Sequence, residues 1–121
     1  MSRVDDLNRV LRALLSGTPE IEAAAVISED GLVIASALPQ HIEELRIAGM
    51  SATLLSLGTR AATELGRGGL EQVLIRGSKG YVVMMNAAPG TLLLVLTTAE
   101  AKLGLVFLDM KRATAEVTKI L

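Results

Sequence analysis

The sequence of residues 43–66 is EELRIAGMSATLLSLGTRAATELG, and its apolar residues recur at the spacing of an α-helix. One side of this predicted helix is apolar or small along its whole length. That side contains Ile47, Ser51, Leu54, Leu55, Gly58, Ala62 and Leu65. We therefore expect a long helix that packs this side against the rest of the fold.

A second stripe of the same helix is expected to face water, yet it is apolar at its centre. It contains Glu43, Arg46, Met50, Thr53, Leu57, Arg60 and Glu64. An apolar centre inside a charged rim is typical of a protein contact surface. The pattern also fits a helix buried within its own domain, although a chain of 121 residues has little material to surround it on every side. This pattern alone leaves both interpretations open.

The length and composition of the chain predict a single domain, residues 1–121, with a substantial core. A domain of this size buries roughly two thirds of its unfolded surface. Half of the residues are hydrophobic, a high fraction for a small domain, which again favours a buried contact between subunits. Cysteine is absent, which excludes disulfide bonds and thiolate metal sites.

Charge is spread evenly along the chain. Twelve basic and 13 acidic residues give a formal net charge of -1, and neither sign is clustered. Nucleic-acid binding usually requires clustered lysine and arginine, and Tyr81 and Phe107 are the only aromatic residues that could stack on bases. We therefore expect no nucleic-acid partner.

One segment resembles a membrane span in composition. Residues 80–99 carry no charge and approach the length of about 20 residues that a bilayer requires. Pro89 and Gly90 interrupt its centre and favour two strands joined by a turn. Residues 1–6 contain acids where a signal peptide has its apolar run. We therefore expect no membrane span and a cytoplasmic location.

Outside the long helix, the hydrophobic pattern alternates between helical and strand periods. Residues 4–15 have helical spacing, which should end near Gly17. Ser2, followed three residues later by Asp5, resembles the cap at the start of this helix. Helical spacing returns from about Ala101 to the last residue. The predicted strands are residues 22–28, 32–36, 70–76, 81–87 and 91–98.

The resulting order of elements is α-β-β-α-β-β-β-α. Short turns join the last three strands and favour an antiparallel meander. We therefore predict an α+β domain in which helices cover the faces of a five-stranded antiparallel sheet. Residues 82–85 and 92–96 are nearly all apolar and should lie centrally, whereas the polar residues of strand 70–76 favour an edge. An uncovered edge beside an apolar helix favours pairing across a two-fold axis.

Groups that could carry catalysis do not converge in the sequence. His41 is the only histidine, and no cysteine or metal-ligand pattern accompanies it. Adjacent acids occur at Asp5-Asp6, Glu29-Asp30 and Glu43-Glu44. Each pair lies at a predicted helix start or turn, where acids serve helix termini and solubility. We therefore assign no catalytic residue, metal or cofactor, and we expect a protein that is not an enzyme.

Three stretches of the chain resemble the Roadblock domain family, which is named for dynein light chains and includes bacterial MglB-like regulators. They are EAAAVISEDGLVIAS at residues 22–36, the region from QVLIRG at 72–77 to LLLVL at 92–96, and LGLV at 103–106. The resemblance extends over essentially the whole chain and implies a Roadblock or profilin-like sandwich. Its motifs are patterns of apolar and turn residues, so it indicates a fold more than an activity.

The resemblance implies a homodimer in which the long helices pack antiparallel and the third strands pair into one continuous sheet. The implied interface residues are Arg46, Met50, Thr53, Leu57, Arg60, Glu64 and Val73. Pairing centred near Leu55 would bring Arg46 close to the partner subunit's Glu64. Such exposed ion pairs contribute roughly 0 to 1 kcal/mol each, so the apolar centre would supply the association.

The function that the resemblance implies is binding and regulation of a small Ras-like GTPase. Activation can proceed through an arginine finger or through ordering of the GTPase's own catalytic groups. Arg46, Arg60 and Arg67 are spaced along the helix, and we interpret them as solvated rim residues. The alternative is a passive dimerisation adaptor of the dynein light-chain type, without effect on nucleotide turnover. A small-molecule sensor or enzyme is disfavoured, since no polar groups converge in the sequence.

Overall fold

The computed structural model describes residues 2–121, which form three helices and one sheet of five antiparallel strands. The helices are α1 (Arg3–Gly17), α2 (Glu44–Glu64) and α3 (Leu103–Ile120). The strands are β1 (Ile21–Ser28), β2 (Val33–Ala37), β3 (Gln72–Gly77), β4 (Gly80–Asn86) and β5 (Thr91–Thr97). The element order confirms the predicted α+β fold.

The sheet has the strand order β2-β1-β5-β4-β3. The most apolar strand, β5, therefore lies at the centre, and β3 forms an edge as its polar residues predict. Side chains of β5 alternate between two cores. Leu93 and Val95 join the core beneath α1 and α3, whereas Leu92 and Leu94 join the core beneath α2. The sheet is thus a middle layer, with α1 and α3 on one face and α2 on the other.

The uncharged residues 80–99 form β4, the turn and β5, as expected from Pro89 and Gly90. Within residues 2–121, no helix combines the length and the hydropathy that crossing a bilayer requires.

Helix α1 begins at the predicted cap. The Asp5 backbone N–H donates a hydrogen bond of 3.1 Å to the Ser2 Oγ atom. This bond satisfies one of the amide donors that a helix N-terminus leaves unpaired.

Replacing Ser2 with alanine is expected to lower the free energy of unfolding by about 1 kcal/mol, because that amide donor loses its partner. Urea denaturation measures the change. Ser16→Ala is the matched control, since Ser16 is exposed at the other end of α1. An equal effect of the two substitutions would show that the Ser2 cap adds no stability.

Helix α2 ends earlier than its hydrophobic pattern predicts. Gly66 has a φ of 70°, and its N–H donates to the Thr63 carbonyl while the Arg67 N–H donates to the Ala62 carbonyl. These two bonds form a Schellman motif, which reverses the chain after Glu64. The prediction that Leu65 faces the core is therefore wrong, because Leu65 follows the last helical turn and is exposed.

Candidate interaction surface

Helix α2 touches the sheet with only a narrow part of its circumference. Its buried residues are Ile47, Ala48 and Ser51, all in the N-terminal half. The other residues predicted for the core side are half-buried. They are Leu54, Leu55, Gly58 and Ala62. Since no second helix within residues 2–121 flanks α2 on this face, its sides remain open in a single chain.

The helix passes directly over the edge strand β3. A Cβ atom added at Gly58 would lie 3.2 Å from the Val73 Cγ2 atom, so the missing side chain allows the close approach. Nearer the start of α2, Met50 and Leu54 line a cavity together with Ile75. Residue numbers thus rise along α2 as they fall along β3. The helix and the edge strand run antiparallel on the same side of the molecule.

The second stripe of α2 is exposed in the single chain, as its sequence predicts. Met50 and Leu57 expose 54% and 60% of their surface. The flanking polar residues of the stripe are exposed as well. They are Arg46, Thr53, Arg60 and Glu64. Large apolar side chains exposed to this degree on a helix with charged ends are typical of an interaction surface.

The edge strand β3 continues this surface. Within residues 2–121, β3 pairs with β4 alone, through partners that include Val73 with Met84 and Ile75 with Val82. Val73 is half-buried beneath α2. Leu74 and Ile75 expose 43% and 39% of their surface. An apolar edge with unpaired backbone groups favours pairing with another strand.

Leu74 and Ile75 are surface residues that the sequence reasoning missed. A usable signal existed in QVLIR, where apolar residues occupy both faces of a predicted edge strand. A strand of that kind leaves apolar side chains exposed unless both of its faces are covered.

The three arginines of this region differ in their contacts. The Arg60 Nε atom lies 3.6 Å from the Glu64 Oε1 atom of the same chain. The Arg67 Nε atom donates to the Leu65 carbonyl at 3.0 Å and thereby braces the end of α2. Arg46 forms no ion pair with any residue in the range 2–121. All three side chains are exposed.

A cavity of about 400 Å³ lies beneath the N-terminal half of α2. Its apolar lining residues are Ile42, Ile47, Met50, Leu54, Ile75, Val82, Leu94 and Leu96. Its polar lining residues are His41, Glu43, Arg46 and Ser51. The sequence assigns His41 no role, whereas the fold brings it to the cavity together with Arg46. In the described part of the chain, no group of three or more His, Cys, Asp or Glu side chains could hold a metal ion.

Comparison with known proteins identifies the family. Residues 7–97 match the sequence profile of the Roadblock/LC7 domain. This chain is a Roadblock/LC7 protein. The matched region includes β1, β2, α2 and all three later strands, and therefore the whole candidate surface.

Relatives of this Roadblock/LC7 chain extend over nearly its full length. The uncharacterized protein MJ1340 of Methanocaldococcus jannaschii is 39% identical over 111 residues, which are 92% of this chain and 96% of the relative. Myxococcus xanthus MglB superposes with a TM-score of 0.89 at 24% identity, covering 97% of this chain and 88% of MglB. A Roadblock/LC7 domain from Streptomyces avermitilis superposes with a TM-score of 0.87 at 25% identity, covering 93% and 94%.

Proposed function

We propose that this Roadblock/LC7 chain is a homodimer that binds and regulates a small Ras-like GTPase. The observation that carries the proposal is the continuous apolar surface formed by the exposed stripe of α2 and the open edge of β3. Family membership supports a role as a regulator or an adaptor. The fold shared with MglB favours the regulator of these two. Because the proposed partner is a small Ras-like GTPase, we place the protein in the cytoplasm.

The proposed dimer buries the apolar parts of this surface on a two-fold axis. The α2 helices pack antiparallel with Met50 and Leu57 at the contact, and the two β3 edges pair into one continuous sheet. Arg46, which lacks an ion-pair partner within the described chain, then lies close to the partner subunit's Glu64. In this arrangement Glu64 also contacts Arg60 of its own chain. These exposed ion pairs at the rim of the interface therefore fix the register of the two helices and add little affinity.

The GTPase binds, in this proposal, to the surface that the paired helices create. Thirteen consecutive residues of α2, 47–59, carry no charge. The exposed members of this segment include Gly49, Ser56 and Thr59, which have small side chains or none. Arg60 and Arg67 are held by contacts within their own chain, and Arg46 lies at the rim of the proposed dimer. In this proposal the chain therefore acts by ordering the GTPase's own catalytic groups and not through an arginine finger.

The test compares the two nucleotide states of a Ras-like GTPase from the same organism. Titration with the GTPase loaded with a non-hydrolysable GTP analogue is expected to give at least tenfold tighter binding than titration with its GDP form. A regulator must discriminate in this way, because it can shift an equilibrium only through differential affinity. Single-turnover hydrolysis by the GTP form, with and without the chain, measures the functional effect.

Equal affinity for the two forms would contradict the regulatory role. The second candidate function is a passive dimerisation adaptor. The same surface supports it, because an adaptor of this kind requires only the two-fold contact between the chains. An adaptor would bind its partner chain without regard to nucleotide and would leave the rate of hydrolysis unchanged.

A further inference from the structure

Helix α3 carries two exposed leucines on the face of the sheet opposite to α2. Leu105 and Leu108 expose 56% and 45% of their surface. They are three residues apart, which makes them neighbours on the surface of a helix. The buried residues of α3 pack in the core beneath α1 and α3. The two leucines therefore form an apolar patch that belongs neither to the core nor to the α2–β3 surface.

Two lysines bracket this patch along the helix. Lys102 precedes Leu105 by three residues, and Lys111 follows Leu108 by three. Both lysines are exposed, and neither forms an ion pair with any residue in the range 2–121. We call these four residues the α3 stripe. The stripe thus combines protruding apolar side chains with positive charges that have no partner in the described chain.

The acidic residues of α3 are paired with other basic residues of the same helix. The Arg112 Nη1 atom lies 3.7 Å from the Asp109 Oδ1 atom. The Lys119 Nζ atom lies 3.6 Å from the Glu116 Oε1 atom. Asp109 also accepts a hydrogen bond from the Thr18 hydroxyl. The acids of α3 therefore do not neutralise the lysines of the α3 stripe.

The two helices of this layer concentrate positive charge that the sequence as a whole balances. Residues 3–17 and 102–121 contain seven basic and four acidic side chains, a formal charge of +3. The other residues contain five basic and nine acidic side chains, a formal charge of -4. The layer of α1 and α3 is therefore the face of the molecule that attracts an anionic partner.

The proposed dimer presents this face twice on one side. In a continuous sheet with both α2 helices on one face, the α1 and α3 helices of both subunits must lie on the other face. Two α3 stripes then point in the same direction, away from the paired α2 helices. This doubling rests on the dimer of the proposed function, whereas the stripe itself belongs to a single chain.

We propose that the α3 stripe docks this protein on the surface of an anionic lipid bilayer. Leu105 and Leu108 insert at the boundary between headgroups and acyl chains, and the flanking lysines contact the lipid phosphates. A bilayer fits the arrangement because it offers negative charge and apolar depth together and extends far enough to meet both stripes of a dimer. The paired α2 helices face away from the lipid and stay open to the GTPase.

The experiment measures co-sedimentation of the full-length chain with lipid vesicles over a series of lipid concentrations. Vesicles of phosphatidylcholine mixed with the anionic lipid phosphatidylglycerol should bind at least tenfold more tightly than vesicles of phosphatidylcholine alone. Raising the salt concentration from about 0.1 M to about 1 M shortens the Debye length from about 10 Å to about 3 Å, and it should weaken the binding at least tenfold. Equal binding to the two kinds of vesicle would overturn the proposal.

Two exposed residues of the stripe separate its charged and its apolar contribution. Lys111→Gln should weaken binding to the anionic vesicles about fivefold, and Leu105→Ser should weaken it about tenfold. The matched controls are Arg67→Gln at the end of α2 and Leu45→Ser in its first turn, where Leu45 is 86% exposed. Both controls should bind like the wild type. An unchanged affinity of Lys111→Gln and Leu105→Ser would overturn the site.

A second copy of the chain is the competing occupant of the α3 stripe. Light scattering without lipid would then give twice the mass of the dimer, and Leu105→Asp would halve that mass. This result, together with a wild-type chain that does not bind vesicles, would assign the stripe to a contact between copies and overturn the lipid proposal.

The variant Leu57→Asp separates this proposal from the proposed dimer. As a monomer with one α3 stripe, it should keep its preference for anionic vesicles and bind them at least tenfold more weakly than the wild type, because two linked sites bind with avidity. A dimeric wild type that binds no anionic vesicles would overturn the lipid proposal and leave the dimer standing. Anionic-selective binding by a monomeric wild type would support the stripe and contradict the dimer.

Discussion

Replacing Gly80 with alanine is expected to lower the free energy of unfolding by about 3 kcal/mol or more. Gly80 is the first residue of β4 and has a φ of 154°, a conformation that side chains rarely allow. A Cβ atom there would overlap the Thr97 carbonyl oxygen. That oxygen belongs to the backbone of Thr97, the last residue of the central strand β5, which cannot move aside without disturbing its pairing with Ile21 of β1. Equilibrium urea denaturation measures the loss.

Gly104→Ala is the matched control for this substitution. Gly104 lies in the first turn of α3, and an added Cβ would meet no atom within 4 Å. Alanine loses less backbone freedom than glycine in a helix, so this variant should be about 0.5–1 kcal/mol more stable than the wild type. Similar stability changes for the two variants would refute the close contact between Gly80 and Thr97.

Replacing Leu57 with aspartate is expected to convert the proposed dimer into monomers. The substitution puts an unpaired carboxylate from each chain into the apolar centre of the contact. Burying such a charge costs about 3 kcal/mol or more, so the dissociation constant should rise roughly a hundredfold or more. Light scattering over a dilution series measures the shift of the dimer–monomer equilibrium.

Leu105→Asp is the matched control for the dimer prediction. Leu105 exposes 56% of its surface, close to the 60% of Leu57, but it lies on α3 on the other face of the sheet. The control should therefore remain dimeric and lose little stability. A Leu57→Asp variant with the wild-type mass would exclude this part of α2 from the contact, and two monomeric variants would show that the effect is not specific to α2.

The course of α2 could be predicted because its period of 3.6 residues persists over five turns. Its C-terminal end could not, since the Schellman motif depends on backbone hydrogen bonds of Gly66 and Arg67 that the apolar pattern does not record. Leu65 continues the core side by spacing and is nevertheless exposed. The edge position of β3 was predictable because polar residues interrupt it, whereas β5 is apolar on both faces.

The cavity was beyond the reach of the sequence reasoning. Its lining comes from α2, from the segment that precedes it and from three strands, so residues as distant as His41 and Leu96 contribute. A void is the space left between packed side chains, and no periodicity indicates it. Ser51 was assigned to the core side by its spacing, and it is buried there. Only the contacts show that its hydroxyl lacks a partner in the described chain.

Cross-linking through a single engineered cysteine tests the antiparallel pairing of α2 most directly. The chain contains no cysteine, so the variant Thr53→Cys carries one thiol. In a pair centred near Leu55, the two thiols lie about 6 Å apart along axes that are about 8–10 Å from each other. A short bismaleimide should therefore join two Thr53→Cys chains efficiently at low concentration, whereas Ala115→Cys, exposed on α3, should remain uncoupled. Failure of Thr53→Cys to couple, or equal coupling at both positions, would contradict the proposed dimer.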